Sequence, residues 1–150
     1  MIGFKIDKSM FFDRQKVVDA TDRASRRVLS RFAAFVRQRA RTSIRKRKGT
    51  SAPGGPPHSH VGLLRRFIFF GYDPRKRSVV IGPTALSNSN GEAPSLLEYG
   101  GTARIRDPRN PRSGRRRTAR FRERPYMGPA LEAEQPKLPS MWRNSINPRK

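Results

Sequence analysis

Few residues in this chain have the types and spacing that chemistry needs. Two histidines, His58 and His60, stand two apart in a segment rich in proline and glycine. Alternating imidazoles could bind a metal, but no carboxylate lies near them in sequence and the chain has no cysteine. A general base also needs a partner to orient it, and none is evident. The sequence therefore predicts no catalytic residue, no metal, no cofactor and no enzyme activity.

Charge points to a different chemistry. Lys plus Arg total 34 against 11 Asp plus Glu, a formal net charge of +23, and arginine heavily outnumbers lysine. Such a chain needs a polyanion or an acidic protein surface for neutralisation. Guanidinium groups suit bidentate contacts with phosphate or carboxylate. The densest run is residues 103–120, "ARIRDPRNPRSGRRRTAR". Its Arg104, Arg106, Arg109, Arg112, Arg115, Arg116, Arg117 and Arg120 are candidates for contact with DNA or with an acidic partner. Phosphate contact there would be sequence-independent and steeply salt-dependent. Pro and Gly in this run predict a mobile loop.

Acidic residues are scarce enough that each position is informative. Glu98 closes "APSLLEYGG" beside Tyr99. The sequence predicts that its carboxylate pairs with Arg122 or Arg124 and pins the final helix to the sheet. A salt bridge to another subunit and a solvated charge are the alternatives. Downstream, "RPYMGPALEAE" reads as an ornate helix entrance. Pro125 pushes Arg124 toward extended geometry. Tyr126 and Met127 supply apolar surface, and Pro129 suits a first helical turn. Phe67 and Phe69 belong to an aromatic run, Phe67-Ile68-Phe69-Phe70, whose exposed side could meet another subunit.

Several elements must position these residues. Apolar residues recur at three- and four-residue spacing from Val17 through Val28, Phe32, Val36 and Ala40 to Ile44, which predicts one helix over residues 13–45 with Asp13 as N-cap. Arg23, Arg27, Arg31, Arg37, Arg41 and Arg45 fall on the opposite face, as a solvated surface or one turned toward DNA or acidic subunits. Residues 46–61 hold prolines and glycines that exclude helix and central strand and predict a flexible loop. Segments 63–73 and 78–83 flank "PRKR" and read as a β-hairpin. A short strand is expected at residues 3–7, a short helix over 92–102, and a final helix after residue 126, broken at Pro136 and Pro139 and resuming near "SMWRNSI". Residues 147–150 form a basic tail. The expected architecture is one α+β domain over residues 1–150. A long N-terminal helix and a C-terminal helix pack on a small antiparallel β-sheet, with long basic loops. The hydrophobic share of 34% allows one modest core. No run is long enough to span a membrane, and "MIGFKIDKSMFF" is too charged for a signal peptide.

In order, Gly62-Leu63-Leu64-Arg65, Val80-Ile81-Gly82-Pro83, Glu98-Tyr99-Gly100 with Thr102, and Arg124-Pro125-Tyr126-Met127 with Pro129-Ala130-Leu131 resemble the neck or tail-completion proteins of long-tailed bacteriophages, the head–tail joining minor tail component family. The likeness covers roughly residues 15–146 and departs from the family at Gly101 and in the arginine-rich insertion after it. It implies a structural virion protein of the neck and tail, assembled in the bacterial host cytoplasm. It implies a homo-oligomeric ring, six-fold with twelve-fold as the alternative, around the channel for genomic DNA. Neighbours would be head-completion or connector proteins and tail terminator or tube proteins, and DNA contact would be non-specific. The other reading of the charge is a stand-alone nucleic-acid-binding protein of ribosomal or nucleoid type, for which no RRM, KH, zinc-finger or helix-turn-helix signature is present.

Overall fold

Residues 13–84, 92–106, 109, 112 and 114–146 are described by the computed structural model. The expected strand at 3–7 and the basic tail at 147–150 lie outside the described residues. The chain is α+β, with a long N-terminal helix, C-terminal helices and short antiparallel hairpins.

Helix α1 (Arg14–Ser43) is the spine. Its 30 residues span about 45 Å at the usual helical rise. Asp13 caps it, its side chain accepting the N–H of Lys16 at 3.1 Å. The buried stripe is Ala24, Ser25, Val28, Phe32, Ala33, Val36 and Ala40, the periodic face expected, whereas Val17 and Phe35 on its margins stay exposed.

Strands β1 (Ile68–Asp73) and β2 (Ser78–Pro83) pair antiparallel from Ile68 opposite Pro83 to Asp73 opposite Ser78. The first turn of the expected strand is instead a short helix, α2 (Leu63–Arg66). Gly62, at φ +85°, starts it and turns Leu64 into the core. Helix α3 (Glu92–Tyr99) ends at Gly100, whose φ of +69° and N–H bond to the Leu96 carbonyl stop the helix in a left-handed turn.

The arginine-rich segment departs from the expected loop. Gly101–Arg106 is strand β3 and Arg116–Phe121 is strand β4, paired antiparallel from Gly101 opposite Phe121 to Arg106 opposite Arg116. The physical reason is an alternation hidden by charge. Ala103, Ile105, Ala119 and Phe121 fall at every second position and are half-buried, while the residues between them are exposed. The expected single sheet is thus two separate two-stranded sheets.

Helix α4 (Met127–Glu134) follows the ornate entrance, passes through a 3₁₀ turn at Gln135–Lys137, and continues as α5 (Leu138–Trp142). Pro136 and Pro139 each sit near the start of a new element. The core gathers Phe32, Val36, Ala40 and Ile44 of α1 with Leu64, Ile68, Tyr126 and Ala130, and Ile81, Leu97, Met127, Leu138 and Met141 pack around it. α1 touches α4, α5, β1 and β2, whereas the β3–β4 hairpin has α3 as its chief neighbour.

Residues 46–61 have no strand or helix, as expected, but they are laced to the body. Ser59 N–H bonds the Arg45 carbonyl at 3.0 Å, Gly54 N–H bonds the Glu123 carbonyl at 3.0 Å, and Pro57 is buried. These bonds give backbone polar groups of the segment partners.

Candidate functional site

Glu98 sits at the end of α3, where its side chain reaches the entrance of α4. Oε2 accepts the N–H groups of Tyr126 and Met127 at 3.0 Å each, and Oε1 accepts that of Gly128 at 2.7 Å. Helix α4 has no capping side chain of its own, so Glu98 supplies the cap from 28 residues upstream. A carboxylate at this place satisfies orphan donors and faces the positive end of the helix. The pairing expected with Arg122 or Arg124 is therefore replaced: three backbone donors hold the carboxylate, and no ion pair joins it to either arginine among the described residues. The carboxylate holds the start of the final helix to the end of α3, not to a sheet as expected. Gly128 permits it, since a Cβ there would lie 3.2 Å from Glu98 Oε1.

Arg124 has another task. Its Nε donates to the Ser51 carbonyl at 3.1 Å, its Nη1 to the Arg122 carbonyl at 3.2 Å, and its N–H to the Leu97 carbonyl at 2.6 Å. It ties the 46–61 loop, α3 and the α4 entrance into one knot. Tyr126 is buried in the core, and burial, aided by the charge of Glu98, raises its phenol pKa well above the ordinary value. Met127 packs beside it, Pro125 is half-buried, and Pro129 is exposed in the first turn of α4. The structure thus brings Glu98, Arg124, Pro125, Tyr126, Met127 and Pro129 into one junction.

Phe67 and Phe69 are elsewhere. Their rings meet edge to face with centroids 6.2 Å apart, and both remain partly exposed, at 37% and 46%. Val80 extends this exposed apolar surface on the same face of the β1–β2 hairpin, and Phe70 is exposed on the other face. Arg37 lies 5.9 Å from the Phe69 ring centre and donates from Nε to the Ile68 carbonyl at 2.6 Å. Arg37, expected on the charged outer face of α1, is instead half-buried against the hairpin. Tyr99 is 80% exposed and lines a shallow cleft with Pro53, Thr102, Arg120 and Arg122.

The basic hairpin is two-faced. Across an antiparallel ladder, opposite residues share a face. Register puts Arg120 with Thr102, Arg104 with Thr118, and Arg106 with Arg116 on one face. Arg117 stands opposite Ile105 on the other face, and Arg109, Arg112 and Arg115 are exposed beyond the strand ends. Like charges directly opposite, as at Arg106 and Arg116, repel unless an anion lies across them.

The buried ion-pair triad at Glu134 has no counterpart among the sequence expectations. The Glu134 carboxylate is buried between Arg39, which donates to Oε1, and Lys137, whose Nζ lies 2.7 Å from Oε2. Lys137 first and Arg39 second hold its pKa below the usual carboxylate range. Spacing of three links Glu134 to Lys137, but nothing in the sequence links either to Arg39.

His58 Nδ1 lies 2.9 Å from the Gly49 carbonyl, within its own loop. Among the described residues, no three His, Asp or Glu side chains converge as a metal site. Comparison with models of known protein families, with curated proteins and with solved structures finds no match.

Proposed function

We propose that this chain is a structural subunit of a tailed-bacteriophage neck, assembling as a ring that joins the head connector to the tail and surrounds the DNA channel. The observation that carries this reading is the pairing of two surfaces on one small body. Phe69 and Val80 lie on one face of the β1–β2 hairpin with Phe67 just before it, all exposed, a patch that a neighbouring copy would cover. The β3–β4 hairpin offers Arg104, Arg106, Arg116 and Arg120 on one face, suited to phosphates or to acidic neighbours. The ordered sequence resemblance supplies the biological setting. Six-fold symmetry is the assembly expected, and the role is mechanical rather than catalytic.

Negative-stain imaging of the purified protein, alone and mixed with phage heads or tails, tests it. Rings that attach to either particle are the expected result. A persistent monomer indifferent to both would sink the proposal. The arginine face of β3–β4 also favours a second reading, a stand-alone nucleic-acid-binding protein. A monomer with tight, salt-sensitive RNA binding and no ring would point there.

A further inference from the structure

We infer that the groove between α1 and the segment after α5 is a binding site for an acidic protein segment. The groove has a volume of about 670 Å³ and is walled by Arg23, Arg27, Arg31 and Arg143 over a floor that includes Val28 and Met141. Arg27 fixes the two walls together, donating from Nη2 to the Ser145 carbonyl at 2.8 Å. Arg23, Arg31 and Arg143 are exposed, and none forms an ion pair with a described carboxylate. Of the carboxylates nearest in the helix, Asp22 pairs with Arg77 at 2.8 Å, and Asp19 accepts from Gln15 Nε2 at 2.9 Å without an ion pair to the groove arginines among the described residues. Four guanidinium groups around one concavity repel one another, so an anion in the groove gains their attraction and relieves that repulsion.

The ligand class follows from spacing and from the floor. Arg23, Arg27 and Arg31 succeed one another at about 6 Å along the helix axis. Carboxylates on alternate residues of an extended segment recur at about 6.6 Å, and those at every fourth residue of a helix recur at about 6 Å. Either form meets the arginine row in step. The apolar floor rewards the aliphatic side chains that a peptide carries between its acids. Nucleic acid fits less well. Single strands are held by stacking on aromatic side chains, and none is among the described residues lining this groove. Duplex phosphates lie on a broad convex surface and fit an exposed face such as that of β3–β4 better than a groove. The inference needs no ring and does not rest on the neck reading.

The test uses the full chain and two labelled peptides of one composition: glutamate, leucine and alanine. In one the glutamates alternate; in the other they recur at every fourth residue. Fluorescence anisotropy is read at about 0.15 M salt, where long-range attraction is screened. A groove variant (Arg23→Ser, Arg31→Ser, Arg143→Ser) is compared with a hairpin variant of equal charge loss (Arg104→Ser, Arg106→Ser, Arg117→Ser). At least one peptide should bind wild type and bind the groove variant at least about tenfold more weakly, while the hairpin variant loses less than about threefold. The single variant Arg143→Glu lies outside α1 and should weaken binding in the same direction, so a folding defect in the triple variant cannot hide the answer. Three outcomes overturn the site: neither peptide binding wild type, equal losses in the two triple variants, or single-stranded DNA losing as much affinity as the peptide in the groove variant.

Discussion

Glu98 Oε1 accepts the backbone N–H of Gly128 at 2.7 Å, so the end of one short helix caps the start of the next. Replacing Glu98 with Ala leaves the N–H groups of Tyr126, Met127 and Gly128 without this acceptor. The expected loss is about 1–3 kcal/mol, and Glu98→Gln, which keeps one acceptor oxygen, should lose less. Urea unfolding of the three proteins checks the order. In a double-mutant cycle, Gly128→Ala should be more favourable in the Glu98→Ala background, because the carboxylate 3.2 Å from the new Cβ is gone.

Acid should loosen the α1–α4 contact through Glu134. Its folded pKa is depressed, by Lys137 foremost and then by Arg39. Its stabilisation is therefore present above the unfolded carboxylate value and is lost as pH falls through the lower, folded value. Arg39 and Lys137 are about half exposed, at 47% and 53%, so Glu134→Gln should cost near the low end for such bonds, about 1 kcal/mol at neutral pH. The variant should also show a shallower decline in stability below about pH 4.3. An unchanged acid limb would remove Glu134 from this role.

Alkali should act through Tyr126. Its folded pKa is raised by burial and by the charge of Glu98. The contribution is complete below the unfolded phenol value, about pH 10, and declines as pH rises from there through the folded value. Ultraviolet titration should show one phenol ionising only as the protein unfolds. Tyr126→Phe should remove that step and flatten the alkaline limb.

Phe69 separates assembly from folding. It is 46% exposed and its main partners are the Phe67 ring and the Arg37 guanidinium. Phe69→Ser should lower monomer stability by about 1 kcal/mol or less and abolish the rings proposed above. Light scattering and thermal melts on the same sample read the two effects separately. Intact rings in Phe69→Ser would exclude this patch from the interface.

Arg106 and Arg116 face each other across β3–β4. Arg116→Glu replaces repulsion with attraction and should stabilise the hairpin by about 0.2–1 kcal/mol. It should also weaken DNA binding and make the salt dependence shallower, by roughly one to two counterions. Hydrogen exchange of the hairpin amides and a salt titration of DNA affinity give the two readings. Stabilisation with unchanged DNA affinity would place the phosphate contacts elsewhere.

Helix α1 was legible because Val28, Phe32, Val36 and Ala40 repeat with the helical period and Asp13 stands at the start. The β1–β2 hairpin was legible because a turn-forming run separates two apolar ones. The β3–β4 hairpin was not, although Ala103, Ile105, Ala119 and Phe121 mark it, because dense arginine gives the same composition as a disordered arm. Glu98 was singled out for its rarity, but its partners are backbone N–H groups, which no residue type advertises. Arg39 and Glu134 lie 95 positions apart, and only the packing of α1 on α4 makes them neighbours. The half-buried Arg37 was misplaced for a related reason: helical period assigns a face, and the hairpin that covers its edge is a tertiary fact.

The knot at Arg124 closes the base of the β3–β4 hairpin. Leu97 is bonded to Arg124 across the base of the β3–β4 hairpin, and Gly100 lies close enough to the 121–123 backbone that a Cβ would sit 3.1 Å from the Phe121 carbonyl and the Glu123 nitrogen. The chain therefore leaves the body and returns to it at nearly one point, and strands β3 and β4 rise from a closed stem. For a flexible connection between the two strands, doubling its length adds only about 0.6 kcal/mol of closure entropy. The connection between β3 and β4 can therefore be lengthened, trimmed or recoded while the spine and its helical cap stay as they are.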